Sequence, residues 1–278
     1  MNASTLTEHA RTAPTAWAGS VRRIGSLARA EAVLARRNPM ALVSALAIPV
    51  AMAVLIGASQ PPGGGDGPGG GAAIVIMLTA FSLVSVVYVT PVMALVARRE
   101  DLVLKRLRTG ELRDTEIIAG TAVPAVALAC GQIAIGVLVM ATVGGLPAPT
   151  NPVLVLAAII LGTAVFVPMA VVTTAITRTV EMAGVTILPG YLLPLALSGL
   201  MLPLDRFPEP LQRVAQLMPL TPVVDLLHLG LTGTTPNGTS VTFAESLVPA
   251  VVPIIVLTTW AVAAGWATRR WFRWEPRR

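Results

Sequence analysis

RREDLVLKRLRTGELRDTE, residues 98–116, is the stretch whose reading decides the fold. It holds eleven of the 34 charged residues in a chain with 20 Lys and Arg and 14 Asp and Glu. On either side lie two of the most apolar runs, 72–97 and 117–143. Each exceeds the ~20 residues that a helix needs to cross the hydrocarbon core. A charged block this short between two membrane-length runs has room only for a loop or short helix at one bilayer face. Six of its charges are Arg or Lys, which by the positive-inside tendency makes that face cytoplasmic.

Composition agrees with this reading. Hydrophobic residues make up 54% of the chain and charged residues 12%, and the mean hydropathy is +0.76; a soluble domain carries about 25% charged residues. The 278 residues are those of a multi-pass membrane protein, and too few remain outside the spans for a cytosolic catalytic domain. The net charge of +6 reads as basic residues beside anionic lipid rather than as nucleic-acid binding. Nineteen of the 20 basic residues are Arg, and Ala, Gly and Pro abound, which points to a GC-rich bacterial source and so to a bacterial plasma membrane. The one cysteine, Cys130, lies within an apolar run and has no intrachain partner. Residues 1–38 hold no apolar core, so no cleaved signal peptide is expected.

Taken in order, residues 1–38 form a cytoplasmic N-terminus. Its part from Trp17 to Arg37 is amphipathic, with Arg22, Arg29 and Arg36 on one stripe and Val21, Ile24, Leu27 and Leu34 largely elsewhere, a pattern suited to the bilayer surface. Six spans are expected within 39–267, at about 40–57, 72–97, 117–143, 153–177, 184–203 and 247–267. Span five is interrupted by Pro189, Gly190 and Pro194, and residues 178–183 before it read as a tight polar turn. The loops QPPGGGDGPGGG (60–71) and GGLPAPTNP (144–152) carry no basic residue, as short external loops should. Residues 268–278 are a basic cytoplasmic tail. Eighteen of the 20 basic residues fall on the side of the two termini, against only Arg206 and Arg213 on the other, which predicts both termini in the cytoplasm.

The external segment 204–246 carries its own helical pattern. Leu211, Val214, Ala215 and Met218 recur at i, i+3, i+4 and i+7. That helix begins near Pro208 and is stopped by Pro219. Thr221 as N-cap and Pro222 at the first helical position then start a second helix, reaching about Gly230. The pair reads either as a lid or re-entrant hairpin over the outer end, or as two ordinary surface helices.

Several chemistries are excluded. The expected spans contain essentially no ionisable residue, whereas ion-coupled pumps keep such groups in the bilayer for function. His9 and His228 stand far apart on opposite sides, so no metal site is expected. No serine has a base beside it, and no phosphate-cradling Gly-Lys-Ser/Thr follows the glycine loop. The chain is therefore a scaffold around a pathway, powered from elsewhere.

Two segments carry a resemblance to a known family. REDLVLKRLRTGELRDTEIIAG (99–120), following span two, and SGLMLPLDRFPEPLQRVAQLMPLTPVVDLLHLGLTG (198–233), following span five, resemble the signature segments of the type-2 ATP-binding-cassette exporter permeases. With six spans and an amphipathic start, the resemblance covers essentially the whole chain. The chain departs from the common pattern at Leu102-Val103-Leu104, where many members have Gly-Thr-Leu, and at Thr109-Gly110, where Thr-Pro is frequent.

The resemblance implies an all-α transmembrane domain and a dimer with a second permease protomer. It also implies a separate ATPase subunit that binds ATP and Mg, this chain having no nucleotide motif or cofactor of its own. The loop between spans two and three would be the coupling helix, formed by Glu100, Leu104, Lys105, Arg106, Leu107, Arg108, Thr109 and Gly110. Leu104 and Leu107 would supply an apolar ridge and the basic residues its rim, as a small docking site requires. The implied cargo is an amphiphilic drug, antibiotic or lipid-like molecule leaving across the plasma membrane.

The candidate pathway residues are Phe81, Ser85 and Tyr88 in span two, and Leu188, Tyr191 and Leu195 in span five, each set at helical spacing. The alternative for them is packing between helices or contact with lipid. The candidate lid comprises Pro208, Leu211, Val214, Met218, Pro219 and Pro222. A reading from another class, a non-transporting six-span scaffold, fits the same shell.

Overall fold

The computed structural model describes residues 70–100, 114–143, 146–202, 204–235 and 238–271, with Gly25, Arg29 and Ala51 alone before them. The expected span 40–57, the N-terminal amphipathic segment, residues 101–113 and the tail beyond Trp271 lie outside the described residues. Those described form helices and one isolated bridge, Thr234 to Ser240. We number the helices in chain order: α1 Gly70–Glu100, α2 Asp114–Val143, α3 Pro152–Ile176, α4 Val180–Thr186, α5 Leu188–Leu197, α6 Glu209–Leu217, α7 Thr221–Leu231 and α8 Leu247–Trp271. Helices α1, α2, α3, the α4–α5 pair and α8 are each long and apolar enough to cross a membrane.

Helix α1 is the most enclosed of these. Two thirds of its most apolar stretch is buried, against a third or less in the other spans. It packs on α2 and α3, on α7 through its first half, and on α4 and α5 through its second. At its middle, Leu83–Tyr88 winds as a π-helix, with the amide of Val89 bonding to the carbonyl of Val84, a local widening often found at functional sites. In an apolar interior every hydroxyl needs a partner. Thr79 bonds back to the Val75 carbonyl at 2.7 Å and Thr121 to that of Ile117 at 2.9 Å.

Helix α3 is the second organising element, packing on α1, α7 and α8. Its start is held by Asn151, fully buried, whose Oδ1 accepts from the amides of Val153 and Leu154 while Nδ2 donates to Ser246 Oγ at 2.9 Å. Asn151 also donates its backbone amide to the Gly230 carbonyl at 2.8 Å, which ties the end of α7 to the start of α3. Gly230 is required there, because an added Cβ would lie 2.9 Å from the Val155 backbone nitrogen and 3.0 Å from the Asn151 carbonyl oxygen. Before α8, the Glu245 carboxylate accepts from the amide and hydroxyl of Thr242, both at 2.9 Å, and those bonds hold its pKa below the ordinary value.

Several expected boundaries shift for identifiable reasons. Span five starts at Val180 rather than 184, because Thr179 N-caps it by accepting from Met182 N, and it ends at Leu197 rather than 203, before Gly199 at φ 79°. The chain pauses at Ile187, where Pro189 has no amide to continue the ladder. Thr221 does not act as the expected N-cap. The N-cap is Leu220, already helical, and the Thr221 hydroxyl instead donates to the carbonyls of Ala215, at 2.6 Å, and Leu197, at 3.1 Å. The polar block expected to start at Arg98 begins later too: Arg98, Arg99 and Glu100 are the last turn of α1.

Gly230→Ala should lower stability by about 1–3 kcal/mol through overpacking against fixed backbone. Gly131→Ala, in α2 with nothing within 4 Å of the new Cβ, should be neutral or stabilising by up to ~1 kcal/mol. Thermal unfolding in detergent checks both; equal melting temperatures for the two variants would contradict the close approach at Gly230.

Candidate functional site

Three places gather the residues that composition alone singled out. The first is midway along the bundle, where the π-helical part of α1 meets α3 and α5. Tyr88, only 1% exposed, shares a 3.0 Å hydrogen bond with Thr173 of α3, and its ring meets Phe166 edge-on at 6.5 Å between centroids. Ser85 donates to the Tyr191 hydroxyl at 3.2 Å, and Phe81 meets the Tyr191 ring edge-on at 6.3 Å. Gly190 lies against Tyr88 so closely that a Cβ would sit 2.3 Å from its hydroxyl oxygen. Phe81, Ser85 and Tyr191 thus form one group, and Tyr88 belongs to another with Thr173, Phe166 and Gly190. Leu195 is buried and Leu188 is exposed. Within this protomer Tyr88 packs between three helices, while Tyr191 is half-buried.

The second place is the opposite end from Arg99, where α6 and α7 meet at a bend of 78°. They differ sharply in setting. In α7, Thr221, Pro222, Val223, Val224, Leu226, Leu227, Leu229, Gly230 and Leu231 are all buried, against α1, α3 and α8. Helix α6 is amphipathic and lies outside, with Ala215 buried and Val214 and Leu217 exposed. Of the candidate lid residues, Pro208 and Val214 are exposed, Leu211 and Met218 half-buried, and Pro219 and Pro222 buried. The free carbonyl of Leu217, in the last turn of α6, accepts from the indole nitrogen of Trp260 at 2.8 Å, so α8 holds the hairpin from below.

The third place is the end of α1 that leads into residues 101–113. Of the candidate coupling residues only Glu100 lies among those described; Leu104, Lys105, Arg106, Leu107, Arg108, Thr109 and Gly110 lie outside them. Glu100 accepts from the backbone amide of Val180, at the start of α4, at 3.0 Å. Beside it Arg99 is 2% exposed, and its guanidinium donates to the Thr174 carbonyl at 2.7 Å and to the Thr177 carbonyl. Arg98 donates to the Thr121 hydroxyl of α2 at 2.6 Å.

Sequence reasoning counted these arginines as topology charges and missed that one is buried. A signal was present in Thr173, Thr174, Thr177 and Thr179, a polar end to an apolar helix that calls for a polar partner. It also took Gly190 for a helix breaker, when its role is to leave room for Tyr88.

Gly190→Ala should cost about 1–3 kcal/mol by displacing the Tyr88 ring. The cost should shrink in a Tyr88→Leu background, giving a coupling of ~1 kcal/mol or more between the two sites. A double-mutant cycle on thermal stability measures it, and strictly additive effects would rule out the contact.

Compared with known proteins, residues 22–231 match the family model described as ABC-2 type transporter. That match covers most of the chain and both segments that surround the sites above. No curated protein matches the sequence.

Proposed function

The chain belongs to the ABC-2 type transporter family, and from that premise we propose that it is the membrane subunit of an ATP-driven exporter. As a family member with several membrane-length apolar helices, it is a multi-pass membrane permease of an ABC transporter, and the family implies an ATPase subunit as its partner. The carrying observation is the match itself, which spans the charged loop between α1 and α2 and the buried hairpin after α5.

The finer reading follows from chemistry. Eighteen of 20 basic residues lie on one side of the expected topology, which supports cytoplasmic termini and a cytoplasmic 98–116 loop in a bacterial plasma membrane. Leu104 and Leu107, rimmed by Lys105, Arg106 and Arg108, fit an apolar groove with an acidic margin on the ATPase subunit. That subunit carries the ATP and Mg. Two protomers, identical or different, enclose the cargo route between spans two and five. The hydroxyls of Ser85 and Tyr191, beside Phe81 and a surface of aliphatic side chains, suit a cargo that is mostly apolar with a few polar groups: a drug, an antibiotic or a lipid-like amphiphile. Exposed α6 and buried α7 serve as the outer closure of that route.

The test is co-purification of the chain with the ATPase encoded beside it. Leu107→Asp should weaken the association by ~2 kcal/mol or more, roughly 30-fold, while the chain still inserts into the membrane. Undiminished binding and ATP hydrolysis by the Leu107→Asp complex would overturn the docking role of the loop. Absence of any ATPase in the parent preparation would favour a scaffold without transport.

A further inference from the structure

Three consecutive residues close α1, and each holds a different neighbour. Arg98 reaches Thr121 of α2 at 2.6 Å. Arg99 reaches the carbonyls of Thr174 and Thr177, at the end of α3. Glu100 accepts the amide of Val180, at the start of α4. Successive residues on a helix point about 100° apart, which is why one turn can address three directions.

The charges match what they bind. The last carbonyls of a helix have no partner within it, and its first amides have none either. A cation at the first and an anion at the second also complement the helix dipoles. Arg99 and Glu100 therefore seize the two ends that face each other across the α3–α4 turn. In that turn Thr177 and Thr179 are extended and Thr179 spends its hydroxyl on Met182 N, so the Val180 amide is left to Glu100. A further bond, at 2.7 Å between the hydroxyls of Thr177 and Thr186, fastens the turn to the end of α4.

Residues 101–113 leave directly from Glu100 and return at the start of α2, the helix that Arg98 holds. A force applied to that loop reaches this turn of α1 before any other part of the bundle. We propose that Arg98, Arg99 and Glu100 are the positioning residues that transmit movement of the 101–113 loop to spans three, four and five. Through Glu100 the pull is delivered to the first turn of span five, two turns before Gly190 and Tyr191. The proposal rests on the reading of that loop as the ATPase dock.

The test removes one bond without touching the loop. Val180→Pro deletes the amide that Glu100 accepts, yet proline is favoured at a first helical position. Thr179, at φ −127° and ψ 164°, already has the extended backbone that a residue before proline requires. Spin labels are placed on exposed Leu138 of α2 and exposed Leu193 of α5, as Leu138→Cys and Leu193→Cys with Cys130→Ala, in the full complex with its ATPase.

Vanadate-trapped ATP should shift the interlabel distance in the parent and in Val180→Ala, which keeps the amide. The shift should fall at least threefold in Val180→Pro while ATPase content stays within twofold of the parent. A full shift in Val180→Pro, or no shift in a parent that holds its ATPase, overturns the link. A parent that holds no ATPase overturns instead the reading of the loop. Should Val180→Pro not assemble, Glu100→Ala removes the same bond from the other side, and an undiminished shift there overturns the link equally.

Discussion

A guanidinium withdrawn from water inside a helix bundle costs several kcal/mol unless its donors find partners, and Arg99 finds them only at the end of α3. That requirement fixes much of what surrounds it. The end of α1 must reach the last carbonyls of α3, so the two helices pack along their second and last halves. Glu100 then stands opposite the α4 amide, and the α3–α4 turn is short because both its ends are gripped. Stranding the two carbonyls alone would cost ~1–3 kcal/mol each. The last turn of α1 is thus where three spans are kept in register.

The two ends of the bundle are built by different means. At the Arg99 end, charged side chains satisfy helix termini. At the other end the same task falls to neutral groups: Asn151 caps α3 and binds Ser246, Gly230 lets α7 touch the start of α3, and Trp260 takes the last carbonyl of α6. Between them the interior is apolar and its hydroxyls mostly bond within their own helices. A permease needs such a division. The charged end can receive a partner's push, and the neutral end can form a closure that does not hold a mostly apolar cargo by charge.

How much of this was legible in the residues depended on what each pattern encodes. Spans two, three, four and six were readable within a few residues, because a run of Val, Leu, Ile and Ala of membrane length has one use. The turn Arg98–Glu100 was not, because a buried arginine and a loop arginine look alike until the Thr174 and Thr177 carbonyls are placed beside it. Phe81, Ser85 and Tyr88 form one stripe only if α1 keeps 3.6 residues per turn. The π-helical winding of Leu83–Tyr88 changes that register, so Phe81 and Ser85 meet Tyr191 while Tyr88 turns to Thr173 and Phe166. Thr221-Pro222 signalled a helix start correctly, but the hydroxyl serves Ala215 and Leu197 because Leu220 already begins the turn. The amphipathic pattern of α6 was plain in Leu211, Val214 and Met218; nothing in α7 could tell burial among helices from burial in lipid.

The grip of α1 on the α3–α4 turn can be measured directly, by hydrogen exchange of the Val180 amide in the unmodified protein held in lipid nanodiscs. Opening of this amide requires loss of the Glu100 bond. Exchange as slow as that of amides inside α3 is the result predicted here; exchange at the rate of an open loop amide would contradict the anchoring of span five by the last turn of span two.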